Sequence, residues 1–271
     1  MCRLSVKRGE MKEQKIAIIG CGNLGKSILN GLVSSPHYEN NGLTATRRNI
    51  SSLEAYKSQG VEITTDNTQA VQQSDILLIG LKPFKILEVL AELKPHLSKD
   101  KTIVSLATGI TISQIEEVAG TDISIYRAMP NTAADVKESL TCICANGSIS
   151  EGDEVSQIFN SVGKSIVIEE GLMEAATVLG ACGIAYVLRF IRGMIQGGIE
   201  IGFSAKVATD IVTQTVKGAS ELLIKNETHP EAEIDKVTTP RGCTIAGLNE
   251  MEHNGFSSAL IKGIVTSFEK I

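Results

Sequence analysis

Short apolar runs that do not alternate with polar residues recur through the first half of this chain, separated by helix-patterned stretches. Ile16-Ala-Ile-Ile19, Leu43-Thr-Ala-Thr46, Asp75-Ile-Leu-Leu-Ile-Gly80, Thr102-Ile-Val-Ser-Leu106, Ile123-Ser-Ile-Tyr126 and Cys142-Ile-Cys144 each read as strands. A strand with one wet face alternates. Several of these do not, which fits a sheet covered by helices on both faces. Lys26–Val33, Pro83–Leu93 and Ser113–Val118 supply helical patterns between them. That βαβ rhythm predicts an α/β fold, with an N-terminal Rossmann-type doubly wound sheet over residues 15–168.

The first strand runs straight into Gly20-Cys-Gly22-Asn23-Leu24-Gly25, which opens a helix. In a dinucleotide fingerprint the first glycine makes the tight turn, the second lets the pyrophosphate approach and the third packs helix on strand. Gly20, Gly22, Asn23, Leu24 and Gly25 are therefore expected to bind the cofactor. A site for NAD carries an acid at the end of the second strand, where it accepts hydrogen bonds from the ribose. Here that strand ends Thr46-Arg47-Arg48-Asn49. A carboxylate would repel a 2′-phosphate, whereas Arg47 and Arg48 can clamp one through charge-assisted bonds. Thr46, Arg47 and Arg48 thus point to NADPH, with NADH as the lesser alternative. A pair of solvated arginines is the competing structural reading.

After about Glu169 the strand signals stop, and an all-α C-terminal domain is expected over residues 169–271. In Ile184–Ile201 the polar residues Arg189, Arg192, Gln196 and Glu200 fall on one narrow stripe, so that helix is expected to be buried around most of its circumference. Gly193 and Gly197 are expected to admit another backbone. Ser204 can cap the next helix, whose apolar face is Ala208, Ile211, Val212, Thr215, Ala219, Leu222 and Leu223. Too little partner surface exists within one chain for a segment this apolar, which predicts a homodimer through these helices. Burial beneath the sheet domain is the alternative.

The segment Thr238-Thr-Pro-Arg-Gly-Cys-Thr-Ile-Ala-Gly-Leu248 looks suited to a small anion. Pro240 and Gly242 interrupt regular structure, Thr244 is expected to cap a helix over Ile245–His253, and Gly255 to stop it. Free N–H groups and the helix dipole at such a start favour a carboxylate or phosphate. Any capped helix after a turn shares this pattern.

Bulk properties narrow the function classes. The 271 residues are 42% hydrophobic and 21% charged, with a net charge of −5 that argues against a nucleic-acid surface. No apolar run reaches the roughly 20 residues that span a bilayer, so no membrane partner is expected. Residues 1–14 read as a disordered arm or a mis-set start, and the cytoplasm is the default location. The six cysteines form no CxxC pair and the four histidines lie far apart, so no metal site is expected.

With both ends in view, the chain resembles the pyrroline-5-carboxylate reductase family from about Lys15 to Ile271. Its markers are Gly20–Gly25, Leu81-Lys82-Pro83, Ala107-Thr-Gly-Ile-Thr111, Arg127-Ala-Met-Pro-Asn-Thr132 and Thr238–Leu248. The resemblance implies an N-terminal nicotinamide-binding domain and a C-terminal helical domain that forms an interwoven dimer, often assembled further into decamers. It implies a cyclic imine substrate with one carboxylate, reduced to L-proline in the last step of proline biosynthesis. Carried over, Lys82 and Pro83 line the cofactor edge, Ala107, Thr108 and Gly109 approach the cofactor, and Met129, Pro130 and Asn131 flank the nicotinamide. A plain turn at Met129-Pro130 and a helix start at Lys82-Pro83 are the bland readings. In the C-terminal loop, N–H groups near Gly242, Cys243 and Thr244 would hold the carboxylate, and the Thr244 hydroxyl would reach the ring nitrogen. No histidine or acid stands out as proton donor.

Two stretches depart from the family pattern. Thr239-Pro240-Arg241-Gly242-Cys243-Thr244 stands where Ser-Pro-Gly-Gly-Thr-Thr is common, which puts in question whether the loop keeps its backbone shape. Arg241 either adds a cation beside the substrate carboxylate or points into solvent. Ala181-Cys-Gly-Ile-Ala-Tyr186 replaces Gly-Ser-Gly-Pro-Ala-Tyr, losing a hydroxyl and a proline. Rival readings are another NADPH-dependent imine or hydroxyacid reductase, or a nucleotide-sensing protein without catalysis.

Overall fold

The structure, a computed structural model, describes residues 14–35, 42–150 and 152–271. The arm expected over residues 1–14 lies, Gln14 apart, outside the described residues. The chain divides into two compact units at Ala181 and Cys182.

In the first unit eight strands form one sheet: β1 (Ile16–Ile19), β2 (Leu43–Thr46), β3 (Glu62–Thr64), β4 (Ile76–Ile79), β5 (Thr102–Ser105), β6 (Ser124–Met129), β7 (Ser139–Ala145) and β8 (Gly163–Val167). Their order is β3-β2-β1-β4-β5-β6-β7-β8. β1 to β6 are parallel, β7 runs antiparallel to β6, and β8 is parallel to β7. The first six follow the doubly wound order, in which the strand order reverses between β1 and β4, the position at which such sheets bind dinucleotides. Helices α1 (Asn23–Val33), α2 (Asn67–Gln73), α3 (Pro83–Leu93), α4 (Ile112–Ala119), α5 (Glu154–Asn160) and α6 (Met173–Ala176) complete the unit.

The missing alternation in β1 has a direct cause. Ile16 and Ile18 belong to the core on one face of the sheet with Leu29 and Leu32, and Ala17 and Ile19 to the core on the other with Ile86 and Leu90. All four β1 residues are fully buried. The two strands that the sequence did not announce, β3 and β8, are edges. Glu62, Lys164 and Val167 there are exposed, so neither edge carries an apolar run. β6 and β7 also extend beyond the expected Ile123–Tyr126 and Cys142–Cys144. Polar Arg127, Ser139 and Thr141 continue them and are buried.

The second unit holds α7 (Gly183–Glu200), α8 (Ala205–Asn226), α9 (Pro230–Lys236), α10 (Cys243–His253) and α11 (Phe256–Phe268). Ser204 caps α8 by accepting the Val207 N–H. The close backbone approach falls at Gly198, where an added Cβ would lie 3.1 Å from the Ala208 Cβ, and not at Gly193 or Gly197, which face open space. Tyr186 donates to the Ser267 hydroxyl at 2.6 Å, and Phe190 meets Phe256 with ring centroids 6.1 Å apart. No residue of α7 is buried within the chain, and Leu188, Ile201, Ile224 and Ile261 are each more than half exposed.

The expectation that no segment is long and apolar enough to span a bilayer also needs correcting. Helical structure runs from Glu170 to Glu200, 31 residues that are long and apolar enough to cross a membrane by length and composition alone. The run comprises a short 3-10 turn, α6, a π-helical segment at Thr177–Cys182 and α7. Its charges fall at Glu170, Glu174, Arg189, Arg192 and Glu200, so the uncharged stretch between them stays short of about 20 residues although the helix is apolar on average. Within the π segment Gly180 offers its carbonyl to the Asn131 side chain at 3.1 Å.

Gly31, in α1, is the tightest contact on the sheet's helical layer that a methyl group would disturb. An added Cβ would lie 2.5 Å from Val162 Cγ1 and 2.7 Å from the Ala134 carbonyl. Gly31→Ala gains about 1 kcal/mol of helix propensity and loses about 1–3 kcal/mol to overpacking. The clash should win, and thermal denaturation should show a lower midpoint for the variant.

Candidate functional site

The turn after β1 is shaped by its glycines. Gly20 has φ 82°, and an added Cβ would lie 2.5 Å from Leu81 Cδ2. At Gly22 the nearest atom to such a Cβ is the Gly20 carbonyl, 3.9 Å away, so the outer side of the turn is open. At Gly25 a Cβ would press on Ile18 Cγ2 at 3.2 Å, which is the close packing of helix on strand. Gly22 precedes α1 with no side-chain cap, and no acid occupies the first turn. The N–H groups around Asn23, Leu24 and Gly25 therefore start α1 without a side-chain acceptor, an arrangement that suits a phosphate. Burial pushes the Cys21 thiol up to about 12 against the opposing charges of Arg47 and Lys26. Those two cations flank the turn, and the thiol is inert.

The end of β2 is tied to this turn. Thr46 is buried, accepts the Gly20 N–H at 3.1 Å and donates to Asn67 Oδ1 at 2.6 Å. Cys21 donates its N–H to the Thr46 carbonyl at 2.7 Å. Thr46 thus staples β2 to the glycine turn. Arg47 is half-buried with Nη1 donating to Ser52 Oγ at 2.7 Å, while Arg48 is exposed. The residues present fit a nicotinamide dinucleotide with an extra phosphate on its adenosine side: open glycine turn, uncapped helix start and cations at the β2 end.

Lys82 and Pro83 start α3, with Pro83 at the first helical position and both exposed. Beyond β5, Ala107 is buried, Thr108 is half-buried and Gly109 has φ 74°. Met129 and Pro130 are buried at the end of β6. Asn131 is buried too, and its side chain is committed to the Ala133 N–H and the Gly180 carbonyl, which makes it a brace.

Sequence reasoning gave Arg127 no role, although it lies one strand residue before the Ala128-Met129 segment. It is 2% exposed. Its guanidinium reaches Glu170 at 3.1 Å and Glu174 at 2.8 Å. Burial alone would raise the Glu174 carboxyl, but Arg127 and the Gly109 N–H hold it below the usual carboxylate value. The signal was available, because a charge inside an apolar strand must find partners, and Glu170 and Glu174 lie one helical turn apart.

In the second unit the helix begins two residues earlier than expected, and Thr244 is not its cap. Gly242 is the N-cap, Cys243 the first helical residue and Thr244 the second. The reason lies in the turn before it. Gly242 donates its N–H to the Thr239 carbonyl at 2.9 Å, Pro240 occupies the second turn position, and Arg241 the third with φ 61°. This is a type II turn, whose third residue needs positive φ. A Cβ at Gly242 would lie 2.7 Å from Thr239 Oγ1, so only glycine fits there. Arg241, Cys243 and Thr244 are exposed. Asn254 is the C-cap of α10, and Gly255, at φ 76°, begins α11.

A family model described as pyrroline-5-carboxylate reductase dimerisation matches residues 170–271, and one described as NADP oxidoreductase, coenzyme F420-dependent, matches residues 15–109. Pyrroline-5-carboxylate reductase 2 of Dictyostelium discoideum is 45% identical over 279 residues, covering 96% of this chain and 93% of the relative. The chain belongs to the pyrroline-5-carboxylate reductase family. Pyrroline-5-carboxylate reductase 1 of the same organism is 43% identical, and the chain spans 50% of its length. The crystal structure of Plasmodium falciparum pyrroline carboxylate reductase with NADP bound superposes with a TM-score of 0.86 at 29% identity, covering 96% of this chain and 97% of that one. A Rossmann-like sheet followed by a helical dimerisation region is the architecture this reductase family shares with the chain.

Reversing the charge at Arg47 tests the β2 end. Arg47→Asp should raise the NADPH KM at least about tenfold while changing the NADH KM little, since a charge-assisted hydrogen bond is worth about 1.5–3 kcal/mol. Initial-rate kinetics with both cofactors would show it, and an unchanged NADPH KM would remove Arg47 from the phosphate site.

Proposed function

We propose that this chain reduces 1-pyrroline-5-carboxylate to L-proline with NADPH, the last step of proline biosynthesis. The observation that carries the reading is 45% identity over nearly the whole chain to a pyrroline-5-carboxylate reductase. The NADP-bound structure of a relative and the NADP oxidoreductase model support the cofactor class. Residues 15–168 serve as the dinucleotide-binding domain and 169–271 as the dimerisation and substrate domain.

Gly20, Gly22, Asn23, Leu24 and Gly25 cradle the pyrophosphate, and Arg47 and Arg48 take the 2′-phosphate beside Thr46. Lys82, Pro83, Ala107, Thr108, Gly109, Met129, Pro130 and Asn131 line the nicotinamide side, Asn131 by bracing the main chain. NADPH supplies a hydride when bound. The protein's task is to hold the imine carbon in line for it, within roughly 3–3.5 Å. The carboxylate is held by the N–H groups at Cys243 and Thr244, which begin α10 without a side-chain cap. The expected Gly242 N–H is spent on the Thr239 carbonyl, so Gly242 shapes the turn beside the carboxylate instead of donating to it. Arg241 adds a cation beside it. The Thr244 hydroxyl, on the second helical residue, hydrogen-bonds the ring nitrogen. The nitrogen enters the site protonated from solution, so hydride addition to carbon completes the secondary amine and no buried acid is needed.

The unpartnered apolar surface of α7, α8 and α11 is covered in a homodimer, and dimers assemble further into decamers. Glu170–Glu200 is read as a dimerisation helix because the matched family model describes that role and Arg189 and Arg192 lie within it. The reading places the enzyme in the cytoplasm, without nucleic-acid or membrane partners.

NADPH oxidation with pyrroline-5-carboxylate, compared with related imines and 2-hydroxy or 2-oxo acids, tests the reaction. Turnover should be fastest with pyrroline-5-carboxylate and should yield stoichiometric proline. Tight NADPH binding without turnover would instead support a nucleotide sensor. Thr244→Ala should lower kcat/KM by about tenfold or more, the loss of one hydrogen bond to a charged group. An unaffected value would sink its role.

A further inference from the structure

The loop that joins β5 to α4 is tied at its α4 end to a single buried arginine through one of that arginine's two carboxylates. Arg127, on β6, donates from Nη1 to Glu170 Oε1 at 3.1 Å and from Nη2 to Glu174 Oε1 at 2.8 Å. Glu170 Oε1 also accepts the N–H of Ile112, the first residue of α4, at 2.8 Å. The Gly109 backbone, in the middle of the loop, lies beside Glu174 and helps to hold its carboxyl below the usual value. Gly109 has φ 74°, and no atom lies within 4 Å of where its Cβ would be, so glycine is needed there for backbone conformation and not for space. Apart from these bonds the loop has local ties at its ends: the Ala107 N–H to Ser105 Oγ at 3.3 Å, and the capping box of Thr111 with Gln114.

We propose that Arg127, Glu170 and Glu174 are positioning residues for cofactor binding, which set the shape of residues 107–111 and through it the affinity for NADPH. The physical reason is the burial of the guanidinium. A desolvated cation cannot lose its partners cheaply, so the two glutamates are confined; Glu170 in turn confines the Ile112 N–H at the end of the loop, and Glu174 lies beside Gly109. Charge-assisted bonds are short and directional, which makes them suited to holding a main-chain conformation that glycine alone leaves free. Both glutamates belong to the region matched by the dimerisation model. The first residues of that region therefore brace the loop that reads as the cofactor's nicotinamide side. The inference rests on the assignment of Ala107, Thr108 and Gly109 to the cofactor.

Glu174→Ala and Glu174→Gln in the full chain test it, read by NADPH titration, steady-state kinetics and hydrogen exchange. Alanine should raise the NADPH Kd and KM about fivefold to tenfold, with kcat at saturating cofactor within about twofold, the scale of one charge-assisted bond felt at second hand. The Gly109 amide should exchange at least about tenfold faster, with β5 amides unchanged. Glutamine retains an acceptor for the Arg127 guanidinium and the same side-chain length beside Gly109, and should recover most of the affinity. A folded Glu174→Ala protein with unchanged Kd overturns the proposal. Should that variant not fold, Glu170→Gln decides: weaker NADPH binding with faster Ile112 exchange supports the brace, and unchanged binding overturns it. Gly109→Ala separates the two levels. Unchanged NADPH binding there sinks the assignment of the loop to the cofactor, whereas weakened binding there beside unaffected glutamate variants sinks the brace alone.

Discussion

A guanidinium inside the sheet imposes more order on this protein than any other single group. Arg127 sits on β6 with 2% of its surface exposed, where an unpaired charge would cost several kcal/mol. Its two carboxylates come from the segment Glu170–Ala176, which fastens that segment to the sheet through Glu170 and Glu174. Replacing such a buried cluster by apolar side chains is often neutral, while removing one partner costs about 3–5 kcal/mol. The cluster is therefore better understood as a device for specifying geometry than as a source of stability. What it specifies is where the segment Glu170–Ala176 meets β6 and where α4 begins.

The glycine turn works by a complementary principle. At Gly20 and Gly25 a side chain would strike Leu81 or Ile18, and at Gly22 it would strike almost nothing. Two of the three glycines are thus demanded by the fold, and the middle one leaves space that the fold does not use. Open space over an uncapped helix start, with Arg47 and Lys26 close enough to influence the Cys21 thiol, is the physical content of the motif. It needs no knowledge of relatives to be read as a phosphate site.

How much could be read from the sequence follows from the same physics. β1, β2 and β4 were legible because each is buried on both faces, and burial on both faces removes the polar residues that blur an apolar run. β3 and β8 were not, because an edge strand needs only one dry face and carries Glu62 or Lys164 as readily as isoleucine. β6 was read only as far as Tyr126, since an arginine ends an apolar pattern unless its partners, more than 40 residues later in the chain, are known. The glycine turn was legible to the residue because backbone geometry, and not tertiary context, dictates it. In the helical half the exposed apolar faces were legible as a surplus. Which glycine admits a neighbour was not, since Gly198 meets Ala208 only through the particular crossing of α7 and α8.

The Arg241 turn shows why a departure from a family pattern need not change a backbone. Positive φ costs an L-residue about 1–2 kcal/mol, and glycine at the same place would pay about 0.5–1 kcal/mol in chain entropy. The difference is at most about 1.5 kcal/mol, small enough for Pro240 and the Thr239–Gly242 hydrogen bond to hold the turn. The Cys243 and Thr244 N–H donors at the start of α10 consequently stay available. Arg241 also places a cation beside the positive end of a helix dipole, with no acid in the first turn of α10 to offset it. Two like polarities in one place are unfavourable by about 0.3–1 kcal/mol, and a carboxylate bound there would relieve both at once. On that account the arginine strengthens selection for an anionic ring over a neutral imine, and adds nothing to the hydride step itself.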